Sequence, residues 1–239
     1  MYSVVANGGA NQTGGGDGSD LTTGSIDTSG ADFIILSGSY FSTGSVVSDS
    51  KGNTWQGLTE YPDSSGDYSK MWYAYNAIVG SGHTFTLSQG GGTHLYNGAL
   101  CVLAVKGALT ASDPFDVQST SNSTNTPVQP GSITPSQDNE LVVAMMADGA
   151  GSLGITVDSG FTIINQLIGA GFDNTAQAYL IQTSAGAVNP SFTYDTATWA
   201  RALIASFKSL ATGSVARVNW LPFPKFALAK PQPRARFPQ

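Results

Sequence analysis

Short apolar runs between glycine-rich segments are the feature that most constrains how this chain of 239 residues can fold. Almost continuous runs of four to six apolar residues are typical of strands that are buried on both faces. The runs occupy 33–36, 100–105, 141–146 and 202–207. No window shows the 3.6-residue periodicity of an amphipathic helix. The chain is therefore predicted to be all-β.

Other segments carry the second pattern that β-proteins use. Residues 73–75 and 85–87 alternate apolar with polar or small side chains, as strands with one buried face do. Glycine-rich clusters at 14–18, 80–82 and 90–92 supply the positive-φ positions that turns need. Charged residues make up 11% of the chain, where about 25% is usual, so exposed helix faces are not expected.

The sequence indicates an internal duplication with a period near 107 residues. Four pairs of similar residues recur in the same order at separations of 106 to 109 positions. The pairs are Ile34 with Val142, Asp49 with Asp158, Tyr73 with Tyr179, and Phe85 with Phe192. Asp32 and Glu140 also correspond, and both are predicted to cap or solubilise the start of a strand.

These patterns predict a jelly-roll-like β-sandwich over residues 25–210. Repeats at about 25–108 and 133–210 would each contribute four to five strands to one shared core. A glycine-rich segment, 1–24, precedes the sandwich, and the polar run 119–127 is predicted to be a surface loop. Two separate domains are the alternative organisation.

Three motifs carry a resemblance to known proteins. The run 48–55 reads SDSKGNTW, and it is followed by the aromatic segment 72–76 and later by 131–134. With these motifs the chain resembles, over about 25–208, a duplicated β-sandwich domain of uncharacterised tailed-phage proteins and bacterial extracellular proteins. The resemblance implies a role in a virion or at a surface. Its motifs are turns and aromatic strands, so it implies no catalytic residue.

Candidate catalytic residues are few. The two histidines, His83 and His94, are predicted to be exposed in turns, and no serine lies in a nucleophile elbow. A hydrolase using Glu60 or His83 is the least favoured hypothesis. Cys101, the single cysteine, is predicted to be a buried hydrophobic residue. The Asp-rich turns lack the spacing of an EF-hand, so we expect no metal and no cofactor.

Aromatic residues crowd one region of the first repeat. Tyr61 and Tyr68 flank a polar loop and are the candidates for contact with a glycan, whereas Trp72, Tyr73 and Tyr75 are predicted to be core residues of one strand. A carbohydrate-binding or receptor-binding module is therefore the second hypothesis.

The C-terminal arm, residues 211–239, differs in charge from the body. The chain carries five basic and no acidic residues after position 208, and residues 1–208 carry five basic and sixteen acidic residues. Prolines exclude a helix interior or a central strand, so the arm is predicted to be extended, near polyproline II. Its predicted partner-binding residues are Trp220, Phe223, Lys225, Phe226, Lys230, Arg234, Arg236 and Phe237.

The first hypothesis is a non-enzymatic structural protein of a phage virion, a capsid-decorating (cement) or tail-attached β-sandwich anchored by its arm. The N-terminus lacks a signal-peptide pattern, and no apolar run approaches the roughly 20 residues of a membrane span. A surface rich in Ser, Thr and Gly is typical of proteins outside the cell, which usually carry a signal peptide. Assembly of a virion in the host cytoplasm and its release by lysis would explain such a surface without a signal peptide. Expected partners are other virion proteins, further copies of the chain in a homo-oligomer, and a host surface glycan. Neither a membrane nor nucleic acid is an expected partner, since the acidic body would repel phosphates.

Overall fold

The computed structural model describes residues 1–12, 18–41, 43–62, 66–90, 95–149, 154–168, 174–195 and 199–210. These residues contain sixteen strands and no α-helix, which confirms the all-β prediction. No helix in the described part of the chain is long and apolar enough to cross a membrane. The strands are β1 (Ser3–Asn11), β2 (Leu21–Thr22), β3 (Phe33–Phe41), β4 (Ser45–Asp49), β5 (Gln56–Gly57), β6 (Tyr61–Pro62), β7 (Asp67–Tyr75), β8 (Phe85–Gln89), β9 (Ala99–Lys106), β10 (Phe115–Ser123), β11 (Glu140–Asp148), β12 (Ile155–Val157), β13 (Thr162–Leu167), β14 (Asn174–Gln182), β15 (Phe192–Tyr194) and β16 (Ala200–Phe207).

The strands form four antiparallel sheets, two in each half of the chain. In the first half (β1–β9), large sheet 1 has the order β1-β9-β3-β7-β5, with β6 also paired to β7, and small sheet 1 has the order β2-β8-β4. In the second half (β10–β16), large sheet 2 has the order β10-β16-β11-β14-β13, and small sheet 2 pairs β12 with β15. The packed antiparallel sheets are consistent with the predicted β-sandwich.

Apolar side chains fill three layers between these sheets. Each small sheet packs on the large sheet of its own half, and the two large sheets pack on each other through a central core. Representative buried residues are Leu36, Trp72 and Phe85 in the first half, Val142, Met146 and Phe192 in the second half, and Phe33, Tyr73 and Phe207 in the central core. This differs from the single shared core that we predict from sequence, because each large sheet is buried on both faces.

The aromatic segment of β7 shows how alternation distributes side chains between two cores. Trp72 packs in the first-half core, while Tyr73 lies in the central core and Tyr75 packs partly buried against it. The prediction that these residues are core residues is confirmed for Trp72 and Tyr73, each 4% exposed. Cys101 is free and completely buried in β9, as predicted.

Two nine-residue strands, β1 and β10, are among those that lie where the sequence pattern predicts none. β1 lies within the glycine-rich segment 1–24, and β10 covers most of the predicted loop 119–127, so the loop prediction is wrong for residues 119–123. Each pairs with one neighbour at the edge of a large sheet, β1 with β9 and β10 with β16. An edge strand is only half-buried and therefore tolerates the Ser, Thr, Asn and Gly that resemble a loop.

The two halves place their strands in matching order. β1, β9, β3 and β7 of large sheet 1 take the same sequence of positions as β10, β16, β11 and β14 of large sheet 2. Ile34 and Val142 face the cores of their own halves, and Tyr73 and Tyr179 both pack at the central core. This correspondence agrees with a repeated plan, and duplication of the sequence itself stays a prediction.

Polar contacts also join the two large sheets. They lie near the start of β16, whereas Phe207 is the last residue of that strand. Arg201 is completely buried, donates Nε–H to Ser69 Oγ at 3.0 Å, and places Nη1 3.6 Å from Asp67 Oδ2. A buried guanidinium needs such partners, because leaving it unpaired costs several kcal/mol. Two further buried hydrogen bonds cross the same interface, Ser39 Oγ with Thr175 Oγ1 (2.6 Å) and Gln177 Nε2 to Ser37 Oγ (2.9 Å).

We expect Phe33→Ala to lower the free energy of unfolding by about 3–5 kcal/mol, because it opens a cavity in the central core. Phe33 is fully buried and its ring centroid lies 4.9 Å from that of Phe207. Phe41→Ala is the matched control on the same strand, since Phe41 is 41% exposed. It should cost less than about 1 kcal/mol in a denaturant titration. Equal losses for the two variants would contradict the central core.

Candidate functional site

The predicted partner-binding residues of the arm, Trp220 to Phe237, lie outside the described residues. The structure does describe the point from which the arm leaves. Residues 208–210, the arm root, pair with segment 107–109, which leads from β9 into the second half, through backbone hydrogen bonds of 2.9 and 3.0 Å. The Tyr2 hydroxyl adds a third link by donating to the carbonyl of Lys208 at 2.8 Å. The arm therefore leaves from the junction of both halves.

Acidic side chains surround the arm root. The ammonium of Lys208 lies 2.9 Å from Asp116 Oδ1, and Ser136 donates both its N–H and its hydroxyl to Asp116. Glu140 is completely buried nearby and accepts the N–H of Gln137 at 3.1 Å. Burial, followed by the negative charge of Asp116, raises the pKa of Glu140. Glu140 thus caps the turn before β11 as predicted, but it is buried and does not solubilise the strand.

Asp32 has the corresponding place at the start of β3. Its carboxylate accepts the N–H groups of Gly107 at 2.9 Å and of Ala108 at 3.2 Å. It therefore ties the first-half strand β3 to the same segment that pairs with the arm root. The capping prediction for Asp32 is confirmed by these contacts.

Tyr61 and Tyr68, the candidate glycan contacts, lie on opposite faces of large sheet 1. Tyr61 in β6 pairs with Ser69 and packs against the central core. Tyr68 in β7 packs against the first-half core and stacks on Tyr40, with ring centroids 6.4 Å apart. Their rings do not share one surface, because a one-residue offset in a strand reverses the face. Glycan contact by either tyrosine stays a prediction.

His83 is completely buried, so the prediction of an exposed turn residue is wrong. Its Nε2 lies 2.9 Å from Asp49 Oδ1, and its Nδ1 lies 2.9 Å from Thr28 Oγ1. An acid, an imidazole and a hydroxyl in this order have the connectivity of a catalytic triad. The Thr28 hydroxyl belongs to a fully buried residue, however, and a substrate cannot reach it. The arrangement is therefore structural. His94 lies outside the described residues.

Asp49 is the hydrogen-bond acceptor that organises the SDSKGNTW motif. It accepts the N–H groups of Lys51 and Asn53 at 2.8 and 3.0 Å and the indole N–H of Trp55 at 2.9 Å. Burial alone would raise the pKa of Asp49, but the hydrogen bonds from His83 and from these groups outweigh it and lower the pKa. The motif is thus a loop that is folded around one carboxylate.

A groove of about 260 Å³ opens between small sheet 1 and the edge of large sheet 1. It is lined by Ser45, Val46, Val47, Trp55, Gly57, Lys70 and Trp72. Lys70 Nζ lies 5.5 Å from the ring centre of Trp72, within cation–π range. A Cβ at Gly57 would lie 2.9 Å from Lys70 Cε, so the glycine makes room for the lysine. The sequence signal for this pair is Lys70 and Trp72 at a spacing of two, which puts them on one face of a strand.

Glu60 lies beside the groove, with its carboxylate engaged by neutral donors. Tyr40 donates its hydroxyl to Oε1 at 2.6 Å, Thr43 donates to Oε2, and the N–H of Gly44 donates to Oε1 at 3.2 Å. Burial alone would raise the pKa of Glu60, but these hydrogen bonds and the charge of Lys70 lower it. A carboxylate held in this way anchors the loop between β3 and β4.

Comparison with known proteins gives no relative for this chain: no family model, no curated protein and no solved structure matches it. The resemblance to phage and extracellular proteins therefore stays a prediction. Within the described ranges, no group of three or more His, Cys, Asp or Glu side chains could hold a metal ion.

We expect Asp49→Ala to destabilise the fold by about 3 kcal/mol or more, because it removes the acceptor of the buried His83 and of three part-buried donors, the N–H groups of Lys51 and Asn53 and the indole N–H of Trp55. Asp158→Ala, at the corresponding place in the second half, is the control, since Asp158 is exposed. It should cost less than about 1 kcal/mol in the same denaturant titration. The stability that Asp49 contributes is complete above the unfolded pKa of about 3.9 and is lost as the pH falls through the lower folded pKa. Similar losses for both variants would contradict the role of Asp49.

We expect Glu140→Gln to raise the free energy of unfolding at neutral pH. A raised pKa means that the stability contributed by Glu140 is complete below the unfolded value of about 4.3 and declines as the pH rises through the folded pKa. The gain should therefore disappear in acid. Glu60→Gln is the control with the opposite sign, because the pKa of Glu60 is lowered. Unfolding titrations across a pH series measure both, and a loss of stability in Glu140→Gln at neutral pH would contradict the assignment.

Proposed function

We propose that this protein is a non-enzymatic structural protein of a phage virion, a β-sandwich fixed to the capsid or tail by its C-terminal arm. The arm root is the observation that carries this proposal. Because residues 208–210 pair with segment 107–109, a load on the arm passes directly into the backbone of both halves. A flexible tail attached to one exposed strand end would not anchor the body in this way.

Charge supports the same role for the arm. The arm has five basic and no acidic residues, whereas residues 1–208 carry sixteen acidic and five basic ones. The arm is therefore attracted to acidic surfaces, including that of another copy of this protein, and salt should weaken the attraction. Prolines restrict the conformations of an unbound chain, which reduces the entropy that a proline-rich segment loses on binding a partner.

Arm deletion tests the proposal. Removing residues 213–239 leaves the arm root intact, so the body should fold with unchanged circular dichroism and unfolding midpoint. Phage particles produced with this deletion should lack the protein when they are purified and analysed by quantitative mass spectrometry. Particles that retain it at wild-type occupancy would show that the arm is not the anchor. Absence of the full-length protein from purified particles would overturn the virion role.

Charge reversal in the arm measures how much the basic residues contribute to attachment, apart from the apolar contacts of the arm. Reversing the charge of Lys225, Lys230, Arg234 and Arg236 should weaken attachment mainly at low salt, where screening is least. Charge reversal of Lys106, an exposed lysine in the body, is the control and should leave attachment unchanged. Equal effects of the two variants would count against the arm as the basic anchor.

The second candidate function is recognition of a glycan. The half-buried ring of Trp55 in the groove favours it more than Tyr61 and Tyr68 do, because those two rings face opposite sides of the sheet. The two functions are compatible, since the groove and the arm root lie in different parts of the molecule.

A further inference from the structure

We propose that the groove lined by Trp55 and Lys70 binds a carboxylated sugar residue, such as a uronic acid, at the end or within the chain of a glycan. The inference rests on the second candidate function, glycan recognition, and does not depend on the arm.

The charge of Lys70 supports this proposal. Most basic side chains of the body already have partners: Lys208 pairs with Asp116, Arg201 contacts Ser69 and Asp67, and Lys51 donates to the carbonyl of Ser81 at 2.9 Å. Among the described residues, the ammonium of Lys70 has no hydrogen bond or ion pair, and it lies over the Trp72 ring. An ammonium without a protein partner is available for a charge-assisted hydrogen bond to a ligand carboxylate, which is stronger than a hydrogen bond between neutral groups.

Glu60 does not occupy the position beside the Lys70 ammonium that a ligand carboxylate would take. Its oxygens accept hydrogen bonds from Tyr40, Thr43 and Gly44, and it forms no ion pair with Lys70 within the described residues. A ligand carboxylate can therefore reach Lys70 without displacing Glu60. The nearby negative charge also limits the affinity of the groove for small free anions, so the remainder of the ligand must contribute to binding.

The apolar wall supplies that contribution. Trp55 is held in place by its indole hydrogen bond to Asp49 and by an edge-to-face contact with Phe85, with ring centroids 6.2 Å apart. Val46 beside it is 52% exposed. A fixed aromatic ring and a branched aliphatic side chain form a surface for the C–H face of a pyranose. The volume of about 260 Å³ is below that of sites for drug-sized ligands and suits one sugar ring.

Gly57 offers a test that leaves the charged residue in the chain. A Cβ at this position would lie 2.9 Å from Lys70 Cε and 3.3 Å from Nζ, so Gly57→Ala requires the end of the Lys70 side chain to shift. Gly24→Ala is the matched control on an exposed residue, because a Cβ there meets nothing within 4 Å. Neither glycine has a positive φ, and alanine therefore introduces no backbone strain at either site.

The experiment is calorimetric titration of the full chain with a trisaccharide that ends in glucuronic acid and with its neutral glucose counterpart. The acidic sugar should bind at least about tenfold more tightly, as expected for one charged hydrogen bond. Lys70→Gln should remove this preference, Lys70→Arg should retain it, and Gly57→Ala should reduce it. Lys106→Gln and Gly24→Ala should leave it unchanged.

Three outcomes would overturn the proposal, and they are distinguishable. Equal binding of the acidic and neutral sugars would leave glycan recognition in place but remove the carboxylate selectivity. Binding of neither sugar would overturn both the inference and the second candidate function. Tighter binding of a short poly-glutamate peptide than of either sugar, lost in Lys70→Gln, would show that the groove recognises acidic protein segments and not a glycan.

Discussion

Burial of both faces of each large sheet is the constraint on which the rest of this structure depends. A sheet that is covered on one side by a small sheet and on the other by the second large sheet must be apolar at successive positions, as in 100–105 and 141–146. Where polar side chains enter the central interface, they have partners in the opposite half. Arg201 with Ser69, and Gln177 with Ser37, join the halves in one register, because any other register would bury these groups unpaired.

The same layering determines where binding can take place. The apolar end of the central interface, with Phe33 and Phe207, lies next to the junction from which the arm leaves. The groove beside Trp55 forms where small sheet 1 stops short of the edge of large sheet 1, so that side chains of β4, β5 and β7 face a common space. The proposed attachment through the arm and the proposed recognition in the groove would therefore use different surfaces.

The candidate sites show which functional features a sequence can reveal. Lys70 and Trp72 could be placed on one face from their spacing alone. The environment of His83 could not, because its partners Thr28 and Asp49 are 55 and 34 positions away and approach it only when small sheet 1 forms. The face of Tyr61 was equally hidden, since β6 has two residues and shows no alternation.

Local patterns in the chain were enough to establish an all-β protein, the buried strands β3, β9, β11 and β16, a buried Cys101 and the carboxylate cap at Glu140. Each of these follows from side-chain periodicity or from a residue's immediate neighbours. Three cores in place of one, edge strands built from Ser, Thr, Asn and Gly, and the burial of His83 were decided by the tertiary structure. They depend on which sheet covers which face, and that is a contact between segments far apart in the chain.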